Sequence, residues 1–142
     1  MKLKEKLEAQ LPEWRDRVVK LLKEKGSTVV GDVTISQVYG GMRGVKCLVT
    51  DVSYVDPNEG IRLRGYTIPE LLELLPKPEG AQFPLAGGLM YLLMLGELPT
   101  YEDAMEVEAE WAKRAELPEY LLNVLRAVPK DTHPMTMFSQ AI

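Results

Sequence analysis

Apolar residues recur at steps of three and four along the opening stretch, at Leu3, Leu7, Leu11, Trp14, Val18 and Leu21, with charged residues between them. That spacing is the helical period and predicts an amphipathic helix over residues 1–25. Pro12 falls inside it and predicts a kink or two short helices, because an interior proline removes a hydrogen bond and crowds the preceding turn. Gly26 closes the element. Two runs rich in β-branched residues follow, Thr28 to Ser36 and Cys47 to Val55, and read as short strands. Between them Tyr39-Gly40-Gly41-Met42-Arg43-Gly44 concentrates glycine, which permits backbone angles that a Cβ would forbid. The turn-forming string Asp56-Pro57-Asn58-Glu59-Gly60 leads into Ile61 to Tyr66 and predicts a hairpin-like return.

Beyond Ile68 the pattern turns helical. Pro69 suits a first turn, Leu71, Leu72, Leu74 and Leu75 supply apolar contact, and Pro76 stops the helix. Pro84 to Leu95 reads as a buried core helix ended by Gly96 and Pro99. Thr100 with Asp103 has capping-box spacing and opens a helix with Ala104, Val107, Trp111, Ala112 and Ala115 on one face. Pro118 starts another through about Val128, and Thr132-His133-Pro134 marks the cap and first turn of one more. The run from Met135 to Ile142 is largely apolar and predicts a covering surface from elsewhere. The fold class is therefore mainly α, in three stretches: a helix over 1–25, short strands and a Gly-rich loop over 28–66, and helices over 68–142.

Composition narrows the function. The 142 residues are 46% hydrophobic, enough for a core, and the formal net charge of -4 gives none of the basic footprint that nucleic-acid binding needs. The single cysteine, Cys47, excludes an intramolecular disulfide framework and a multi-thiolate metal site, and fits a reducing compartment. The alternating acids and bases of Met1 to Lys6 lack the layout of a secretory signal. The most apolar stretch, Phe83 to Gly96, is shorter than the roughly 20 residues of a membrane span. No nucleic acid, membrane, metal or permanently bound cofactor is expected.

Candidate chemistry centres on Gly40 to Gly44. Open backbone amides beside the guanidinium of Arg43 can hold phosphate, though the same glycines also suit a purely structural turn. Neither a P-loop nor a dinucleotide fingerprint is present. Arg62 and Arg64 alternate with Ile61 and Leu63, which places them on one side of an extended segment, where they read as partners of nearby carboxylates such as Glu59 and Asp56. His133, the only histidine, has neither a second histidine nor a motif-placed nucleophile, and reads as structural. Cys47 reads as a small buried residue, and the carboxylates from Glu102 to Glu119 as a solvated helix face.

The string from Val29 to Tyr66, VVGDVTISQVYGGMRGVKCLVTDVSYVDPNEGIRLRGY, resembles the N-terminal region of eukaryotic-like citrate synthases. The resemblance continues through Thr67 to Glu70, Gly88 to Pro99 (GLMYLLMLGELP), Glu110 to Ala115, Leu117-Pro118 and His133-Pro134-Met135, in order and over nearly the whole chain. It implies the first part of the large domain of a two-domain, almost all-helical fold that works as a homodimer. It also implies a reaction joining acetyl-CoA to oxaloacetate and hydrolysing citryl-CoA to citrate and CoA. The catalytic histidines and aspartate of the family lie in its later part, so none is carried over. His133 matches a histidine of a His-Pro-Met block near the dimer interface. Arg43 matches an arginine that contacts the phosphates of CoA, so CoA or acetyl-CoA is the expected ligand. The resemblance thus implies a small subunit or leading segment, inactive alone, whose partner is a second chain carrying the catalytic part, in the cytoplasm or, in a eukaryote, the mitochondrial matrix. Two alternatives are a non-catalytic module binding CoA or a protein, and part of a 2-methylcitrate synthase.

Overall fold

The computed structural model describes residues 2–142 and is mainly helical, with one small sheet. It divides into two compact units, Met1–Val107 and Glu108–Ile142.

In the first unit, α1 (Lys2–Lys25) runs as one unbroken helix through Pro12, so the expected division into two helices is not found. Only its first turns are anchored. Leu3 joins Tyr91, Leu95 and Val107 in a buried cluster, with Leu7 packed against it. Lys6 ties the same turns down by donating to the Tyr91 hydroxyl, lying 5.0 Å from the centre of that ring and 3.8 Å from Asp103. The Tyr91 hydrogen bond is the main cause of the raised Lys6 pKa.

The strand expected over Thr28 to Ser36 is absent. Thr34 instead caps a short helix α2 (Ile35–Tyr39), its hydroxyl accepting from the Gln37 amide while the Gln37 side chain accepts from the Thr34 N–H. Of the second expected strand only the end is regular, as β1 (Ser53–Asp56). The reason is the same for both runs: β-branched residues favour a strand only where a neighbour pairs with it and covers a face. Val29, Val30, Leu48 and Val49 are all exposed here.

The hairpin is found where the turn residues place it. β1 pairs antiparallel with β2 (Gly60–Leu63), Ser53 opposite Leu63 and Asp56 opposite Gly60, and β2 pairs with β3 (Tyr66–Thr67). The turn over 57–59 is held by the Asp56 carboxylate, which accepts from the amides of Asn58 at 2.8 Å and Glu59 at 3.0 Å. Those two bonds hold the Asp56 carboxyl below its usual range.

Helix α3 (Ile68–Leu74) starts with a full capping box between Thr67 and Glu70. It packs Leu71 and Leu75 onto Leu92 of α4 (Ala86–Leu95), with Leu63, Tyr66 and Leu89 around them. Gly96 ends α4 in the left-handed conformation at φ 80°, as an αL cap requires. Gly88 lets α4 approach its neighbours: a Cβ there would lie 3.4 Å from Pro76 and 3.5 Å from Ala104. α5 (Tyr101–Lys113) buries Ala104 and Val107.

The second unit contains α6 (Glu119–Ala127) and α7 (Pro134–Ala141), and neither helix buries a residue. Tyr120, Val124, Met135 and Phe138 are all exposed. The total accessible surface is 11851 Å², whereas a compact monomer of 16.0 kDa exposes roughly 7,400 Å² by size scaling. Much apolar surface is therefore left to be covered by another surface.

Candidate functional site

The loop after α2 is built locally. The Gly40 N–H donates to the Ser36 carbonyl at 2.8 Å, the Met42 N–H to the Gln37 carbonyl at 2.7 Å, and the Val45 N–H to the Met42 carbonyl at 3.1 Å. The Gln37 side chain reaches across and donates to the Arg43 carbonyl at 3.3 Å. Gln37 thus holds both ends, capping α2 with one face of its amide and tethering the loop with the other. Residue by residue, Gly41 takes φ 79°, Met42 φ 61° and Gly44 φ 74°. The two glycines adopt this freely, but at Met42 a left-handed backbone costs roughly 1–2 kcal/mol. Such strain persists where the surroundings impose it, and it clusters at binding sites.

The result is a set of unpaired donors. Among the described residues, the amides of Gly41, Arg43 and Gly44 have no hydrogen-bond acceptor, and the Arg43 guanidinium has no carboxylate partner. Arg43 itself is exposed. Successive unpaired amides in mixed right- and left-handed conformation form an anion-binding concavity, and an arginine beside it supplies charge and a forked donor. A cleft of about 180 Å³ opens alongside, bordered by Asp32, Gly44 and Lys46. Sequence reasoning missed both Lys46 and Gln37. The Thr34-x-x-Gln37 spacing is a capping-box signature and was the available signal for Gln37.

The other candidates resolve differently. Arg62 pairs with Glu59 at 2.7 Å, as expected, and donates to the Gly65 carbonyl at 3.1 Å. Arg64 does not share its side of a strand: it lies past the end of β2 at φ 49°, with Gly65 next at φ 89°. Its guanidinium donates to the Leu93 carbonyl at 2.7 and 3.1 Å and pairs with Asp51 at 3.0 Å. It is therefore a clasp on the end of α4, with no donor turned to an external anion.

His133 is the N-cap of α7, its Nδ1 accepting from the Met135 N–H at 3.2 Å. Cys47, expected to be buried, is exposed, because the run around it is neither paired nor covered. The carboxylates of α5 are partly engaged rather than only solvated. Glu106 accepts from the Lys2 N–H at 2.9 Å, and Glu110 pairs with Lys113 at 2.7 Å, a contact that lowers its pKa. Among the described residues no group of three or more His, Cys, Asp or Glu is placed to hold a metal, and no helix is long and apolar enough to cross a membrane.

Comparison with known proteins bears on the whole chain. A family model described as "Citrate synthase, C-terminal domain" matches residues 41–142. The chain is similar to the mitochondrial citrate synthases of Aspergillus niger, at 50% identity over 140 residues, of Xiphias gladius, at 47%, and of Saccharomyces cerevisiae, at 46%. In each case the match covers 99% of this chain. The chain spans about 30% of the length of these relatives.

Proposed function

This chain belongs to the citrate synthase family, and from that premise we propose that it is the small subunit, or leading segment, of a citrate synthase whose catalytic residues come from another chain. The methyl carbon of acetyl-CoA gives up a proton to a carboxylate and attacks the ketone carbon of oxaloacetate. Water then cleaves the thioester, releasing citrate and CoA. The base, and the groups that polarise the two carbonyls, belong to the partner, so the lone chain is inactive. The working unit is a dimer of the family type, in the cytoplasm or, for a eukaryotic source, in the mitochondrial matrix, as the names of the relatives suggest. Placement as the leading third rests on the order of the matching blocks between Val29 and Met135, not on the label of the family model. The large area of uncovered apolar surface favours an assembly over a free-standing module.

Within that assembly the loop from Gly40 to Gly44 grips the phosphates of CoA, with Arg43 as the charged contact. The observation that carries this role is the exposed Arg43 guanidinium beside three unpaired amides, on a loop that Gln37 already holds in shape. One charge-assisted contact is worth about 1.5–3 kcal/mol, so Arg43→Ala lowers CoA affinity roughly tenfold to a hundredfold.

The test is calorimetric titration of CoA into the chain alone, then into a mixture with the segment of the Aspergillus niger enzyme that lies outside the match. An assay for CoA release from acetyl-CoA and oxaloacetate is run on the same mixture. Activity that needs both pieces and falls with Arg43→Ala supports the reading. CoA binding without activity in any mixture leaves a non-catalytic module, faster release from propionyl-CoA identifies a 2-methylcitrate synthase, and no heat in either titration rejects the phosphate grip.

A further inference from the structure

Past its anchored turns, α1 carries an apolar seam that nothing in the first unit covers. Leu11, Trp14, Val18 and Leu21 follow steps of three, four and three, the spacing of a heptad seam rather than of a straight helix packed on a globular core. Leu11, Trp14 and Leu21 are 47%, 52% and 60% exposed. The seam lies along two adjoining hollows of about 480 and 560 Å³, which share Trp14 and Asp51 and together run from Leu7 to Leu21. A trough of that length beside an apolar seam suits a helix laid into a groove.

Charge selects among helices. Arg15 and Arg17 fall at the two heptad positions that flank the seam at its middle. A second copy laid antiparallel, in the register that pairs Leu11 with Leu21 and Trp14 with Val18, sets Arg15 against Arg15 and Arg17 against Arg17. That like-charge arrangement disfavours self-pairing and favours a helix with carboxylates beside its own apolar seam. The anchoring contacts leave this half free to receive it, because Leu3, Leu7 and Lys6 hold only the first turns.

We propose that the groove along Leu11 to Leu21 docks an acid-flanked amphipathic helix of the partner chain, with Arg15 and Arg17 reading its carboxylates. This rests on the split-enzyme reading for the identity of the partner, but not for the chemistry of the groove.

Two measurements separate these. The chain contains two tryptophans, so Trp111→Phe leaves Trp14 as the sole reporter. This full-length variant is titrated with a designed helical peptide with Leu at the seam and Glu at the flanks, and with its Lys-flanked counterpart. Expected are a saturable blue shift with the Glu peptide only, weakening with salt, and a preference reversed about tenfold by Arg15→Glu with Arg17→Glu. Equal response to both peptides, no shift with either, or a doubling of mass before any peptide is added overturns the inference.

The second measurement mixes the wild-type and charge-reversed chains with the remaining segment of the Aspergillus niger enzyme. Assembly that ignores the reversal rejects the groove and spares the split-enzyme reading. Glu-peptide binding without any assembly supports the groove and rejects that reading.

Discussion

Replacing Arg64 tests the main tie between the hairpin and the helical core. Its guanidinium makes two hydrogen bonds to the Leu93 carbonyl and one ion pair with Asp51, and its side chain is only 15% exposed, so solvent replaces these contacts poorly. A hydrogen bond from a charged donor contributes about 1.5–3 kcal/mol, and the carbonyl it serves is one of the last in α4, without a helical partner of its own. Arg64→Ala should therefore cost about 2–3 kcal/mol. At about 2–4 °C per kcal/mol for a chain of this size, the melting midpoint falls by roughly 4–12 °C. The backbone adds a second, opposing effect. At φ 49° a non-glycine residue is strained by about 1 kcal/mol, which glycine relieves. Arg64→Gly should consequently melt a few degrees above Arg64→Ala although it removes the same side chain. Arg64→Lys keeps the charge without the fork and should resemble Arg64→Ala. Thermal unfolding followed by circular dichroism ranks the three. If Arg64→Lys melts like wild type, or Arg64→Gly melts below Arg64→Ala, the clasp is not what holds α4.

Leu92 has no exposed surface and sits between Leu71 and Leu75, so Leu92→Ala should cost about 2–5 kcal/mol in denaturant unfolding, against under 0.5 kcal/mol for the exposed Leu22→Ala. Acid should destabilise the first unit in a defined window. Burial tends to raise the Asp103 pKa, but bonds from the Thr100 backbone and hydroxyl and the charge of Lys6 outweigh it, leaving the carboxyl below its ordinary 3.8. Glu70 is lowered below 4.5 by the Thr67 backbone N–H first and the Thr67 hydroxyl second. A carboxyl lowered on folding stabilises above its unfolded pKa and loses that contribution as pH falls through the folded value. Melting midpoints should therefore hold from pH 7 to about 5 and fall below pH 4.5, with a shallower fall for Asp103→Asn.

Much of the fold was legible because local signals and burial agreed. The Thr67-x-x-Glu70 and Thr100-x-x-Asp103 spacings mark helix starts, Gly96 marks an end, and Asp56 to Gly60 marks the hairpin turn, each through bonds that reach no further than a few residues. The failures lie between residues 28 and 52. There the β-branched runs were read by propensity, but strand formation depends on a neighbouring strand, and none pairs with them. The exposure of Cys47 follows from the same cause. Arg64 failed for a different reason: alternation with Arg62 assumes continuous extended backbone, whereas the chain turns back at Arg64-Gly65. Arg43 was legible as a candidate from its glycines and from the family resemblance. The strained φ at Met42 and the tether from Gln37 were not, because both depend on how the loop closes on α2.

That closure separates two properties of the proposed enzyme. The bonds that shape the loop run between Thr34 and Val45, and none involves the buried clusters of α1, α3, α4 and α5. The donors around Arg43 are therefore arranged by twelve consecutive residues, without help from the core or a partner. The seam on α1 has the opposite character, since its apolar residues gain from burial only when a second surface arrives. On this argument phosphate affinity belongs to the chain, while catalytic competence belongs to the assembly. A substitution at Gln37 should then weaken the phosphate grip and leave assembly intact, whereas charge reversal at Arg15 and Arg17 should do the converse.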